Sequence, residues 1–566
     1  MKNPCHSRKA LAVLALFVGI AWFASGAFAN NTFTIGVIPD TQFYVDSGNT
    51  LTTSPAYTQP NADDTAKYFL AETQWLVKNK AALNLAFVTH VGDVVQNGDG
   101  TSDGTTPLTP IWGPAKEYDR AFAAMQVLAN GGVPFGMSPG NHDYDNYYWK
   151  TGSRPLMQGK NNLWGKYFGS QSSLFKGKTW YGGASDSLTC NAGMSSYQVF
   201  TAGGKKFLHI SLELEAGPTA VAWAQGVIDA HKGYATIVTT HSNIGPFAQT
   251  DTTAPQTLQN GNIVGPKPAS YNTASYSVNY PTSCGGWYPN GPVDVFTHLV
   301  YPNDQIFMVI SGHSYNTTVA TGSSPGSSQG EGIRIDKNAV GHPVYQVLTD
   351  YQDNIINHDG NPLASVVAPP YTYAYDATGT NPLHGTYVSG VSDPGGNGWI
   401  RLMTFDLTGG NIHFWTYSPL LNGGNGTYAG QCNGTPCDCT KNVCDSTFEQ
   451  LAAFSDFYEI PMPVQVLNAA SQFSFASSAF VYNRATKSYT GSLTVTNNGA
   501  AYTGAINVAL NSLTAGVALT DATGTYNGAP SVTASTNGLA ANASITVPLA
   551  FSNPTNAIIN FTPVTY

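Results

Sequence analysis

Five apolar segments of this chain each stop at a residue type that binds metal ions. They are FTIGVIPD ending at Asp40 with Gln42 just beyond, LAFVTHVGD ending at Asp93, VPFGMSPGNHD ending at Asn141, His142 and Asp143, ATIVTTH ending at His241, and QIFMVISGH ending at His313. One such residue after a strand is commonly a cap or turn residue, but capping alone does not explain five in succession. Because the carboxyl ends of parallel strands meet at one edge of an α/β sheet, we expect these side chains to converge there.

Helical patterns lie between several of these segments. TAKYFLAETQWLVKNKA (residues 65–81) and AKEYDRAFAAMQVLAN (residues 115–130) repeat apolar residues at the spacing of an amphipathic helix. The alternation of strand and helix predicts an α/β layered domain, which we assign to residues 30–463.

The C-terminal part of the chain has a different character. Between residues 470 and 566 the only charged residues are Arg484, Lys487 and Asp521, and short stretches alternate apolar residues with Ser, Thr and Asn. This pattern predicts a small all-β, immunoglobulin-like sandwich over residues 464–566. We expect it to serve in attachment, spacing or weak binding, at a cell surface or on polysaccharide.

The N-terminus has the composition of a secretory signal peptide. Lys2, Arg8 and Lys9 precede an apolar run of 14 residues, and Ala27-Phe28-Ala29 follows as a cleavage site. An uncleaved anchor is the alternative, but the run is short for a membrane span. We therefore predict a signal peptide over residues 1–29 and a secreted, periplasmic or cell-surface protein with no membrane span.

The charge balance argues against nucleic acid as a long-range partner. The formal net charge is −9, and it falls to −12 once the three positive charges of the leader are removed. A surface with this charge repels a phosphate backbone, and the sequence contains no basic run that would overcome the repulsion.

Six cysteines remain after the predicted leader, and two interpretations of them stay open. Four lie in QCNGTPCDCTKNVC, where a zinc knuckle and two local disulfides are the alternatives. An oxidising compartment favours the disulfides. Cys190 and Cys284 are then left as a further candidate pair.

The donor types at the strand ends suit a particular class of metal. Two carboxylates, one amide oxygen and two imidazoles form a mixed oxygen and nitrogen set, which favours Mn, Zn or Fe over a thiolate site or a calcium site. A shared aspartate can bridge two ions about 3.5–4 Å apart, as in two-metal phosphoryl transfer. Gly92, Gly140 and Gly312 are expected to let the backbone turn sharply beside the ligands.

The order of these motifs resembles the calcineurin-like metallophosphoesterase superfamily. D-x-Q, G-D, G-N-H-D, H and G-H follow one another as in that superfamily, and the resemblance covers roughly residues 32–458. IPDTQ, ETQWLVKN, VLTDYQDN and GGNGWIRLMTFDLTGGNIHFWTYSP are similar to an exported branch of it. The resemblance implies a four-layer α/β/β/α sandwich with two divalent or trivalent metal ions.

The resemblance also implies a role for each motif residue. Asp93 would bridge the ions, Asp40 and Gln42 would face the first ion, and the residues that would hold the second ion are Asn141, His241 and His313. His142 would be the catalytic histidine, protonating the leaving oxygen or stabilising the transition state. Asp143 is expected to orient the His142 ring.

Two positions depart from the superfamily pattern, and both belong to the first ion. Gln42 stands where histidine is usual, and Tyr315 stands where the last motif usually has its second histidine. Tyr315 would then bind the first ion as a phenolate or hold a water molecule. Alternatively, His342 or His384 supplies the missing imidazole.

These features together predict an exported enzyme. We expect a phosphoesterase that hydrolyses small phosphomonoesters or phosphodiesters with a metal-bound hydroxide. The alternative is a binding or surface adhesion protein that keeps the fold and has weakened catalysis. A third possibility is a surface scaffold whose C-terminal domain carries the function.

Overall fold

The structure is a computed structural model, and part of the chain is described in it. The described residues are 32–45, 62–96, 98, 113–144, 163–189, 191–246, 257–259, 262–264, 268–272, 286, 288–314, 331–351, 371–372, 386–387, 398–417, 419, 431–432, 435–436, 458–499, 501–502, 504–526 and 528–565. The predicted signal peptide, Tyr315, His384 and every cysteine except the backbone of Cys432 lie outside them. The predictions made for those residues therefore stay predictions.

Helices are few and cover the faces of the α/β part. The described helices are α1 Gln42–Val45, α2 Ala62–Lys78, α3 Gly113–Asn130, α4 Leu163–Phe168, α5 Pro218–Ala230, α6 Pro292–Val295 and α7 Val464–Leu467. A 3₁₀ turn at Asn141–Asp143 and a π-helical turn at Phe296–Val300 add to them.

Strands make up most of the described secondary structure. Those up to residue 461 are β1 Thr32–Ile38, β2 Leu85–His90, β3 Phe135–Met137, β4 Tyr181–Ala184, β5 Ser196–Ala202, β6 Lys205–Leu212, β7 Ala235–Thr240, β8 Thr257–Gln259, β9 Asn262–Val264, β10 Ile306–Ser311, β11 Glu331–Lys337, β12 Pro343–Thr349, β13 Tyr371–Thr372, β14 Thr386–Tyr387, β15 Ile400–Asp406, β16 Asn411–Tyr417, β17 Gln431–Cys432, β18 Thr435–Pro436 and β19 Tyr458–Pro461. The later ones are β20 Phe473–Ser477, β21 Val481–Asn483, β22 Ser488–Asn497, β23 Ile506–Asn511, β24 Ala518–Leu519, β25 Gly524–Tyr526, β26 Ala529–Ser535, β27 Ser544–Ser552 and β28 Thr562–Thr565.

Two mixed sheets form the centre of the α/β part. The first has the order β19-β16-β15-β1-β2-β3, with β1, β2 and β3 parallel and the other three antiparallel. The second has the order β11-β12-β10-β7-β6-β5-β4, with β6, β7, β10 and β12 parallel. Each sheet therefore has a parallel block whose carboxyl ends lie at one edge.

The two sheets pack face to face because alternate residues of each strand point inward. Phe33 of β1 meets Phe207 of β6 edge to face, with 5.4 Å between the ring centroids. Both rings belong to a buried cluster that draws residues from both sheets, including Ile35 and Ile237.

Helices cover the outer face of each sheet. A second cluster packs α2 and α3 on the first sheet, and a third packs α5 and the π-helical turn on the second sheet. The predicted four-layer α/β/β/α sandwich is therefore confirmed.

The C-terminal part is an all-β fold, as predicted. Its strands form one sheet with the order β20-β22-β27-β24, to which β21 adds, and another with the order β25-β26-β23-β28. Apolar residues of both sheets, including Leu493 and Val508, share one buried cluster.

The all-β part joins the α/β part at the amino ends of the parallel strands. The Lys206 N–H donates to the Ala470 carbonyl at 2.7 Å, and the Ala470 N–H donates to the Gly233 carbonyl at 2.8 Å. These residues lie where β6 and β7 begin. The eight residues of β6 place this junction roughly 25 Å from the carboxyl ends of the parallel strands.

Candidate metal centre

The structure brings the predicted ligands together at the carboxyl edge of both sheets. Asp40 and Gln42 follow β1, Asp93 follows β2, Asn141 and His142 follow β3, His241 follows β7, and His313 follows β10. All of them are buried except His142 and His313, which are partly exposed. Contacts between the sheets hold the group together, because residues after β1 and β2 contact residues after β10 and β7.

Three electron pairs converge at the His241 side of this centre. The Nδ1 of His241 lies 3.1 Å from the Val91 carbonyl, so we assign the ring proton to Nδ1. The lone pair of Nε2 then faces Asn141 Oδ1 at 3.0 Å and Asp93 Oδ2 at 3.2 Å. Acceptors at such distances repel one another unless a cation lies between them. We call this group, with His313, the second half of the centre.

A cluster of possible ligand atoms supports the same conclusion. Ligand atoms of Asp93, His241 and His313 all lie within 4.8 Å of one another. The His241 and His313 rings are 4.9 Å apart between centroids. A mixed set of carboxylate, imidazole and amide donors fits Mn, Zn or Fe, and the superfamily that the motif order resembles typically binds two ions.

The first half of the centre consists of Asp40 and Gln42. The Asp40 carboxylate accepts the His313 backbone N–H at 3.1 Å, and the Gln42 amide nitrogen donates to Asp93 Oδ2 at 3.4 Å. Burial raises the pKa of Asp40 well above its usual value, and the charges of Asp350 and Asp93 raise it further. A positive ion at this place would relieve that charge.

Asp93 lies between the two halves and is an anion. Burial acts to raise its pKa, but His241 and His142, which attract the carboxylate when their rings are protonated, outweigh burial and leave the pKa well below its usual value. Its Oδ2 faces the His241 side and receives the Gln42 amide. This position suits a carboxylate shared by two ions.

Two ligands have backbone angles that side-chain-bearing residues seldom adopt. Asp93 has φ of 48° and His313 has φ of 71°. Such conformations cost on the order of 1–3 kcal/mol each and occur often at functional sites. The neighbouring Gly92, with φ of 113°, absorbs a sharp turn as predicted.

Gly140 and Gly312 serve a different purpose from the predicted turns. Neither residue has a positive φ, but a Cβ at Gly140 would overlap the Asp93 carboxylate and one at Gly312 would overlap the Asp40 carboxylate. These glycines let the backbone approach the two carboxylates closely.

His142 lies at the solvent side of the centre. Its side chain is 13% exposed, and its Nε2 is 3.9 Å from Asp93 Oδ2. The backbone N–H of His142 donates to Asp93 Oδ1 at 2.8 Å, and its Nδ1 is 2.9 Å from the Gln96 carbonyl. With Nδ1–H directed at a carbonyl, Nε2 is the nitrogen available to a substrate.

The prediction that Asp143 orients His142 is wrong. The Asp143 carboxylate accepts the backbone N–H groups of Val94 at 2.9 Å, Val95 at 2.9 Å and Gly140 at 2.8 Å. Its oxygens are therefore occupied by the turn that carries Asp93, and the Gln96 carbonyl orients the histidine instead. The pKa of Asp143 is raised well above its usual value, because burial and the charge of Asp93 outweigh the opposing effect of the three N–H groups.

His90 supports the same turn from beneath. Its Nδ1 accepts the Gly92 N–H at 3.1 Å, and its Nε2 is 3.0 Å from Thr41 Oγ1. Burial and the charge of His241 lower the pKa of His90 to about 3, so the ring is neutral. It links the Gly92 turn to the residue that precedes Gln42.

Asn272 joins the two loops that carry the histidines, and sequence patterns did not indicate it. Its Nδ2 donates to Ser242 Oγ at 3.0 Å, beside His241. Its Oδ1 accepts the Ser314 hydroxyl at 3.1 Å, beside His313. No motif marks this residue, because it comes from the segment after β9 rather than directly from a strand end.

Asp350 was also missed, although a signal for it exists. It is fully buried, it follows β12, and its charge raises the pKa of Asp40. The segment PVYQVLTD ends in a residue type that binds metal ions, just as the five other apolar segments do. That pattern was sufficient to place it at the same edge.

His342 does not supply the missing imidazole. It precedes β12 at the opposite edge of the sheet, and its Nδ1 is 2.7 Å from Asp304 Oδ1. Tyr315 and His384 lie outside the described residues, so their predicted roles stay predictions.

None of the helices in the described ranges has the length and apolar character needed to cross a membrane.

The sequence model of the calcineurin-like phosphoesterase family matches residues 33–314. The protein YvnB of Bacillus subtilis (strain 168) is 24% identical over 399 residues, which cover 70% of this chain and 21% of that protein. The chain thus spans about a fifth of the length of this curated relative.

Two solved structures resemble the chain weakly. GAP50, the anchor in the inner membrane complex of Plasmodium, has 10% identity and a TM-score of 0.25, covering 68% of this chain and 84% of that one. Chitinase ChiA74 from Bacillus thuringiensis has 11% identity and a TM-score of 0.12, covering 94% and 80%. At such TM-scores we draw nothing from either structure. The family match and the fold together show that this chain belongs to the calcineurin-like metallophosphoesterase superfamily.

Proposed function

We propose that this protein is an exported, metal-dependent phosphoesterase that hydrolyses phosphomonoesters or phosphodiesters. The observation that carries the proposal is the convergence of His241 Nε2, Asn141 Oδ1 and Asp93 Oδ2 beside the partly exposed His142. Two ions held by these residues, Asp40, Gln42 and His313 would activate a water molecule and neutralise the charge of a phosphate ester.

His142 is the residue that we assign to the leaving group. The Gln96 carbonyl holds its Nδ1–H, which directs Nε2 toward the open side of the centre. A protonated ring so held can donate from Nε2 to the departing oxygen, and the nearby Asp93 charge favours that protonated form. The remaining ligands are buried, apart from the partly exposed His313.

Export and the C-terminal domain form the second part of the proposal. The leader-like residues 1–29 support a secreted, periplasmic or surface location. The junction of the all-β part lies at the edge opposite the metal centre. We therefore assign the all-β part to attachment, spacing or weak binding of a cell surface or polysaccharide, with no role in the reaction.

Hydrolysis of model esters tests the proposal. The chelator-treated protein is reconstituted with Mn²⁺, Zn²⁺ or iron and assayed with p-nitrophenyl phosphate and bis(p-nitrophenyl) phosphate. His142→Ala is expected to lower kcat by about 10²–10⁴-fold while metal content stays unchanged. His342→Ala is the matched control, since this half-exposed histidine pairs with Asp304 at the far edge.

Each outcome decides between the candidate functions. Turnover that survives His142→Ala contradicts the assigned role of this residue. A protein that binds metal and hydrolyses neither ester supports the binding or adhesion alternative. Cell fractionation of a bacterial host expressing the chain with and without residues 1–29 tests export separately.

A further inference from the structure

Asp350 directly follows β12, a parallel strand whose carboxyl end lies at the edge that holds the metal centre. β10 and β12 run parallel, and their register pairs Met308 with Tyr345 and continues to Ser311 with Leu348. Asp350 directly follows β12 and His313 lies two residues after the end of β10, so both residues stand just past the carboxyl ends of neighbouring parallel strands. This strand end has the same position in the sheet as the ends that supply the other ligands.

The first half of the centre is the part that Asp350 adjoins. The His313 backbone N–H donates to the Asp40 carboxylate at 3.1 Å, so Asp40, from the first sheet, contacts the residue that follows the strand beside β12. Asp350 is fully buried. Its charge also raises the pKa of Asp40, a second buried carboxyl at this edge.

Gln42 leaves this half short of charge for a cation. An amide offers a neutral oxygen, which binds a divalent ion less well than a carboxylate does. The two acidic residues Asp40 and Asp93 are the anionic groups that the five strand ends bring to this side. A further carboxylate would make the first half richer in hard oxygen donors than the second half.

We propose that Asp350 supplies a carboxylate to the first metal ion and thereby compensates for the amide of Gln42. The inference rests on the proposed function only in assuming that the centre holds two ions. It also predicts which kind of metal ion each half of the centre prefers. Three carboxylates favour a hard ion such as Mn²⁺, whereas the imidazoles of His241 and His313 favour Zn²⁺.

Counting ions in the full-length variant Asp350→Asn tests the proposal without any measurement of activity. The metal-free protein is titrated with Mn²⁺, and bound metal is measured by elemental analysis. The wild type is expected to bind two ions, and the variant is expected to keep one and to bind the other at least about tenfold more weakly. Glu72→Gln is the matched control, because Glu72 is a fully buried carboxylate whose oxygens have no described hydrogen-bond partner.

Thermal unfolding of the metal-free protein separates this role from a structural one. A ligand of the first ion stabilises the metal-loaded protein, so Asp350→Asn is expected to reduce the rise in the unfolding midpoint that Mn²⁺ produces. A carboxylate that merely supports the fold would lower the midpoint both with and without metal. An Mn²⁺-induced rise in the midpoint equal to that of the wild type, or unchanged binding of two Mn²⁺ ions, overturns the proposal.

A measurement on the wild type guards against a variant that does not fold. Metal-free protein is given one equivalent each of Mn²⁺ and Zn²⁺ per chain. We expect one ion of each kind to remain bound after desalting, and retention of Zn²⁺ alone contradicts the proposal. Because these readouts count metal, failure to hydrolyse any ester would remove the proposed function and leave this inference standing.

Discussion

The two halves of the metal centre differ in chemistry and in support. The second half uses the imidazoles of His241 and His313 with the amide oxygen of Asn141, and the Val91 carbonyl sets the tautomer of one ring. The first half uses the carboxylate of Asp40 and the amide of Gln42. The difference teaches that one edge can offer a nitrogen-rich site and an oxygen-rich site side by side.

The halves are nevertheless coupled mechanically. Asp93 contacts both sides, and the Asp40 carboxylate binds the backbone of His313. A change in one half therefore shifts a ligand of the other half. Substitutions that distinguish the halves must be judged by metal counts for each ion rather than by total activity.

Removing one ligand from each half is the strongest test of the comparison. His241→Ala is expected to lower the affinity of the second ion by more than about 100-fold, because it deletes a buried imidazole aimed at Asp93 and Asn141. Gln42→Ala should lower first-ion affinity by roughly tenfold or less, because an amide contributes little charge. Metal titration followed by elemental analysis measures both, and equal losses would refute the asymmetry.

Loosening the loops should have a smaller effect that is confined to the histidines. Asn272→Ala removes hydrogen bonds to Ser242 and Ser314 and is expected to weaken binding of the second ion by about tenfold. The control is Asn303→Ala, which removes an asparagine bonded to Gln225 and Leu299 far from the centre. The result would count against the role of Asn272 if both variants bound metal like the wild type.

The smallest expected effect is on stability and concerns Glu72, a buried carboxylate that is not a predicted metal ligand. Burial raises the pKa of Glu72 well above its usual value. Because the folded state holds this proton more tightly than the unfolded chain, its contribution to stability is full below the usual glutamate pKa. That contribution is lost as pH rises through the raised pKa.

Glu72→Gln should therefore flatten the decline in the free energy of unfolding with pH. We expect a difference on the order of 1 kcal/mol between pH 5 and pH 9, measured by urea denaturation. Asp229→Asn, at an exposed helical position, serves as the control. A variant with the same pH dependence as the wild type would show that Glu72 ionises in the folded protein as it does in the unfolded chain.

Much of the fold and of the ligand set follows from local pattern. Alternating apolar residues predicted the strands, and residue types at strand ends predicted where Asp40, Asp93, His241 and His313 lie. The same pattern was present at Asp350 and was not used. No sequence pattern indicates Asn272, because its role depends on hydrogen bonds to Ser242 and Ser314 in two other loops.

By itself, the sequence determined the α/β and all-β parts, the edge at which the ligands meet and the donor types that they offer. Hydrophobic periodicity and residue chemistry are local properties, and both can be identified in a single sequence. Only the tertiary structure decided that Asp143 binds the Asp93 turn and that the Gln96 carbonyl orients His142. Those assignments depend on which groups from distant segments come within about 3 Å of each other, and packing alone sets that distance.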